Sequence, residues 1–127
     1  MINFTKEEIS LLKQIMEKGL SFEPSDDGHG AYHVFHQDKT YPWADGEDKP
    51  YYNKEGFVWI ATISDCLEFL RERGYGGRID FEKAYTRIHI FSPKLHFVDW
   101  AAYPNYKGET TLEACLKAVL AVLEEAP

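Results

Sequence analysis

The sequence predicts an α+β fold, an antiparallel sheet with helices packed on its faces in an α-β-α sandwich-like arrangement, as a single domain over residues 1–127. Three observations lead there. The elements run helix, strands, helix, hairpin, helix, and successive strands joined by short turns favour antiparallel pairing. Both arms of the clearest hairpin carry apolar residues on both faces, which calls for helices on both sides of the sheet. A length of 127 residues also suits one core, since chains of about 100–150 residues usually build a single one.

The first helix, about residues 5–18, opens on a capping box in which Thr5 takes the N3 amide and Glu8 reaches back. Ile9, Leu12, Ile15 and Met16 follow at helical spacing, and Gly19 ends the helix. Leu20 to Glu23 reads as a short strand stopped by Pro24, and Ala31 to Gln37 as the next strand. Residues 38–56 form a long loop without periodicity, with an irregular hairpin around Ala44–Gly46. Phe57 to Thr62 is strand-like, and Ser64 caps a helix of about residues 65–73 that turns Cys66, Leu67, Phe69 and Leu70 inward and stops at Gly74. Residues 75–83 have no clear period, and Gly76-Gly77 marks a bend there. Tyr85 to Tyr103 reads as a hairpin, YTRIHIF and LHFVDWAAY joined by SPK, with Tyr85, Arg87, His89 and Phe91 on one face of the first arm. After a loop at 103–109, Thr110 and Glu113 form a second capping box. The helix behind it carries a stripe of Leu112, Cys115, Leu116, Val119, Leu120 and Leu123. Leu116, Leu120, Phe69 and Ile90 are expected in the core.

Composition and charge narrow the function. Hydrophobic residues are 44% and aromatics 15%, a globular composition that excludes disorder and collagen-like repeats. The net charge of −7 argues against general nucleic-acid binding and against anionic membranes. The four arginines, Arg71, Arg73, Arg78 and Arg87, fall in one stretch, the only candidate basic patch. Arg71 and Arg73 also complement the dipole at a helix C-terminus. The N-terminus has acids at Glu7 and Glu8 and no apolar run, so a cytoplasmic location is expected. Cys66 and Cys115 lack a C-x-x-C spacing and read as buried, reduced thiols.

No phosphate-binding, dinucleotide-binding, zinc-protease or hydrolase motif occurs, so no cofactor is expected. His29, His33 and His36 lie near Asp26, Asp27 and Asp38, but His33 and His36, three apart on a strand, point to opposite faces and do not favour one ion. His96 and Asp99 have no identifiable nucleophile beside them. The strongest irregular feature is the loop at 38–56, with Tyr41, Trp43, Tyr51 and Tyr52 stiffened by Pro42 and Pro50. Such rings offer recognition area at low entropic cost, or fold back over the end of the sheet. The expected function is therefore a small non-enzymatic binding protein that uses these four rings on another protein, with at least one ring exposed in the monomer. The alternatives are an acidic inhibitor that mimics nucleic acid and a small metal-dependent hydrolase using the His29–His36 region.

The C-terminal half has a further cadence. FVWIATISDCLEFLRERGY is followed by a hairpin ending in HFVDWAAY, then by TTLEACLKAVLAVLEEA. Over residues 57–125 this resembles small phage and prophage proteins of the phage ABA sandwich type. The resemblance implies an antiparallel sheet between helices and a phage or mobile-element origin, and it implies no functional residues. The long aromatic loop departs from it.

Overall fold

The computed structural model describes residues 4–22, 33–36, 39–42, 58–91 and 104–125. The fold class is α+β, with antiparallel sheets and helices packed on them. Contacts gather the chain into two compact units, residues 1–65 and 66–127, and each unit holds one three-stranded antiparallel sheet.

In the first unit, α1 spans Lys6–Glu17. The capping box forms as expected: the Glu8 amide donates to Thr5 Oγ1 at 3.0 Å, and the Thr5 amide donates to Glu8 Oε1 at 2.7 Å. Ile9, Leu11, Leu12 and Ile15 bury one side of the helix, which packs against β3. At its end Gly19 takes a φ of 95°, a conformation that a side chain disfavours. The Leu20 amide donates back to the Ile15 carbonyl at 3.3 Å, so it is engaged in closing the helix. Leu20 to Phe22 accordingly form no strand, contrary to the expectation at 20–23.

The sheet of this unit has β1 (His33–His36) at its centre, flanked by β2 (Lys39–Pro42) and β3 (Val58–Ile60). The strand β2 falls where a loop was expected. Its four residues are too few to show a period, and its proline is tolerated because β2 is an outer strand. The expected hairpin around Ala44–Gly46 lies outside the described residues. Val58, Trp59 and Ile60 are all buried.

The helix α2 (Ile63–Glu72) begins before the unit boundary and continues past it. Its cap is Thr62 rather than Ser64. The Asp65 amide donates to Thr62 Oγ1 at 3.1 Å, and the Thr62 amide donates to Asp65 Oδ2 at 2.8 Å. An aspartate three residues on closes this box in the place where glutamate is the usual signal.

The second unit holds β4 (Gly76–Phe81), β5 (Thr86–Phe91), β6 (Asn105–Gly108) and α3 (Thr111–Glu125), with sheet order β4-β5-β6. This corrects two expectations. Residues 76–81 form a strand, although Gly76-Gly77 suggested a bend; Arg78-Ile79-Asp80-Phe81 supplies the alternation that the glycines obscure. A bare Cα is also needed at Gly77, where a Cβ would stand 2.7 Å from the His89 carbonyl oxygen. Second, β5 is paired on both edges, by β4 and by β6, and not by the arm at 95–103, which lies outside the described residues. His89 therefore stands opposite Arg78 and Asn105.

Thr86, Ile88 and Ile90 point to the face of this sheet that carries the helices. Thr86 Oγ1 and Thr111 Oγ1 are 3.1 Å apart, and Gly108 lets the start of α3 lie directly on β6. The Glu113 amide donates to Thr110 Oγ1 at 3.0 Å, as the sequence predicts, while the Glu113 carboxylate accepts from the Glu109 amide one residue further back. Burial, then Glu125, Tyr75 and Glu124, push the Tyr106 phenol above its usual pKa, which places it by the acidic end of α3. Leu116, Leu120, Phe69 and Ile90 are buried as expected.

Cys66 and Cys115 form no disulfide and are fully buried, and burial pushes the Cys115 thiol up to about 11. A thiol reagent at neutral pH should label neither cysteine in the native chain and both after denaturation. Adding reductant should leave the melting temperature unchanged; a fall of several degrees would reveal a bridge.

Candidate functional site

The four rings that the sequence proposes for binding are only partly placed. Trp43, Tyr51 and Tyr52 lie outside the described residues, and Tyr41 stands in β2 opposite Val34. Of the histidines, His29 and His96 also lie outside. His33 and His36 are the two ends of β1, paired with Ile60 and Lys39 respectively. Among the described residues no group of three or more His, Cys, Asp or Glu side chains could hold a metal ion.

What the structure brings together instead is β4 and α2. Among the described residues the strand β4 is an outer strand of its sheet, and all its residues except Asp80 are exposed. The hairpin to β5 fixes which way its backbone groups point. The Glu82 amide donates to the Tyr85 carbonyl at 2.8 Å, so these two residues form a hydrogen-bonded pair. Such pairs alternate along an antiparallel ladder. Asp80, Arg78 and Gly76 therefore also face β5, while the N–H and C=O groups of Gly77, Ile79 and Phe81 face outward. The Ile90 amide, opposite Gly77, agrees with this: it turns away from β4 and donates to the Pro104 carbonyl at 3.0 Å.

Beside this edge runs a groove of about 290 Å³ between α2 and the sheet. Leu67, Leu70, Ile79, Ile88 and Ile90 give it an apolar wall, and Arg71, Tyr75 and the backbone at Gly76 and Gly77 complete its rim. Ile79 and Phe81 carry their side chains on this same face, 39% and 81% exposed. Together with the groove they make a contiguous exposed apolar surface, the kind that marks interaction sites.

The opposite face of the sheet is charged. Arg78 Nε lies 2.9 Å from Asp80 Oδ1, and His89 Nε2 lies 3.3 Å from Asp80 Oδ2. The His89 ring is buried. Arg87 and Lys107, opposite one another, flank the Tyr85 ring at 5.6 and 4.2 Å. An acid beside a buried histidine has the form of an acid–base pair, and Tyr85 is the described hydroxyl-bearing residue of β5's charged face. Thr86 and Thr111 bond one another on the helix face, and both cysteines are fully buried. Of the remaining arginines, Arg71 pairs with Glu68 at 2.6 Å and Arg73 lies over the Phe69 ring. The four arginines are thus distributed over the C-terminal end of α2, the turn after it and both strands of a hairpin.

Compared with protein-family models, curated proteins and solved structures, the chain has no match.

Proposed function

We propose that the protein is a non-catalytic interaction module that holds an extended polypeptide segment along β4, with a large apolar side chain of that segment in the groove beside α2. The observation that supports this reading is the outward-facing backbone of Gly77, Ile79 and Phe81 alongside a groove walled by Leu67, Leu70, Ile79, Ile88 and Ile90. Strand addition uses those two parts together: backbone hydrogen bonds supply affinity, and a pocket for alternate side chains supplies selectivity. The mixed charges of Arg71 with Glu68 and Arg78 with Asp80 favour this over an acidic mimic of nucleic acid, which needs a row of one sign. The phage-like cadence of residues 57–125 belongs to the same proposal as an origin for such a module.

The test uses ten-residue peptides selected from a random displayed library against the whole chain. Their binding should move the backbone amide signals of Gly77, Ile79 and Phe81. Ile79→Pro removes one outward-facing N–H without touching the β4–β5 ladder, so the variant should fold. It should bind the selected peptides at least about tenfold more weakly, the equivalent of one lost backbone contact. Equal binding, or signals that move elsewhere, would overturn the site. Replacing Tyr41, Trp43, Tyr51 and Tyr52 with Ala in the same titration tells the edge from the aromatic loop. Unchanged binding is expected for the edge, and its loss would move the site to residues 38–56.

A further inference from the structure

We propose that a second copy of this chain occupies the β4 edge, the two β4 strands running antiparallel about a two-fold axis at Ile79, with Phe81 of each copy seated in the other's α2–β4 groove. This rests on the reading of β4 as a docking edge and names its occupant.

The strand is complementary to itself in one register. Placing Ile79 opposite the partner's Ile79 sets Gly77 opposite the partner's Phe81 and Arg78 opposite the partner's Asp80. Residues directly opposite in an antiparallel pair share a face. The apolar set 77, 79, 81 therefore meets its own kind, and the charged set 78, 80 meets its opposite. Phe81 is 81% exposed and projects on the face of the groove. Its counterpart across the axis, Gly77, lines that groove and has no side chain to fill it.

Neighbouring registers are worse. A shift of two residues one way sets Arg78 opposite the partner's Arg78, and the other way sets Asp80 opposite the partner's Asp80. Like charges directly opposite are destabilising. A shift by one residue sets the apolar face of one strand against the charged face of the other. The chosen register also uses the outward backbone groups fully. Gly77, Ile79 and Phe81 supply an N–H and a C=O each, so the three pairs across the axis can exchange six hydrogen bonds. Two three-stranded sheets become one of six strands. The strand has no Pro or Lys of the kind that blunts an edge, and an uncovered apolar edge is otherwise an aggregation site.

Sedimentation equilibrium on the full chain should give twice the chain mass of 14.7 kDa. Phe81→Ala removes two seated rings per dimer and should raise the dimer dissociation constant by about a hundredfold. Because the ring is exposed, the melting curve of the dilute monomer should not move. Cross-linking tests the register. Hydrogen-bonded pairs stand about 5.5 Å apart at Cα, within disulfide reach. Ile79→Cys should therefore oxidise to a covalent dimer, whereas Phe81→Cys, lying across from Gly77, should not. Cys66 and Cys115 are fully buried and do not compete. A chain that stays monomeric at millimolar concentration, or an Ile79→Cys variant that cross-links no faster than Phe81→Cys, overturns the proposal. Selected peptides that still move the β4 signals in that case would leave the docking edge standing and remove only the second copy as its occupant. Loss of both results would remove the edge itself.

Discussion

Leu116→Ala is expected to destabilise the fold by about 3–4 kcal/mol, in the upper part of the range for truncating a buried leucine. Leu116 is fully enclosed, with 0% of its surface exposed. It sits mid-way along α3, the helix that packs on β5 and β6. Its neighbours on the helix are also buried: Leu112, Cys115, Val119 and Leu120 along the stripe, and Ala114 and Ala118 beside it. A side chain walled in this way leaves a cavity that its surroundings cannot easily collapse into. Both the lost transfer energy and the cavity then count. Leu120, at 8% exposed, can admit some relaxation and should cost less within the range of about 2–5 kcal/mol. Urea unfolding checks this as a shift in midpoint with an unchanged slope. A loss below about 0.5 kcal/mol, the level of an ordinary surface change, would show that α3 does not pack on the sheet.

Gly108→Ala should cost about 3 kcal/mol, at the top of the usual range for overpacking. The substitution looks mild, since Gly to Ala often stabilises by limiting the unfolded chain. Here the geometry reverses the sign. A Cβ on Gly108 would stand 2.6 Å from the Ala114 amide nitrogen, 2.6 Å from Glu113 Oε2 and 2.8 Å from Glu113 Cβ. The carboxylate oxygen could swing away, but the amide nitrogen and Cβ are fixed to the first turn of the helix. Relief requires α3 to lift from β6, which breaks the contact between Thr86 and Thr111 and loosens the Thr110 cap. Hydrogen exchange should therefore speed up at residues 111–114 in the variant. A stability within about 0.5 kcal/mol of the parent would mean that the helix and β6 separate freely.

Much of the helical part of the fold was legible in the sequence, because its signals are chemical and local. Thr5 with Glu8 and Thr110 with Glu113 mark helix starts, and Gly19 and Gly74 mark ends, with φ values of 95° and 85°. The strands were less legible. KTYP and NYKG are four residues each, too short for a period, and depend on pairing with His33–His36 and Thr86–His89 respectively. Gly76 and Gly77 are breakers by composition, yet both lie in β4, and Gly77 makes room for the neighbouring strand. That misreading also hid the docking edge, since Ile79 and Phe81 gain meaning only when they share a face with Ile88 and Ile90. The Asp80–His89 pair depends on the same register and shows no spacing in the sequence. The aromatic loop at 38–56 was read from composition alone, and most of it lies outside the described residues.

The β4–β5 hairpin is closed by only two residues, Lys83 and Ala84, and this bears on the order in which the chain acquires structure. Pairing so local can form in about 1–10 μs, far faster than a ribosome adds a residue. The strand β6 and the helix α3 arrive later. At roughly 5–20 residues per second, about 2–7 s of synthesis separate Phe91 from Glu125. During that interval Ile88 and Ile90 lack the helix that will cover them, and β5 lacks its second neighbour. A nascent chain that has reached Phe91 thus shows an open β5 edge and an apolar face, which in the finished second unit are taken by β6 and α3. The seconds before α3 is made are when the chain most needs a chaperone, and synonymous codons that slow translation between residues 92 and 110 should lower its soluble yield.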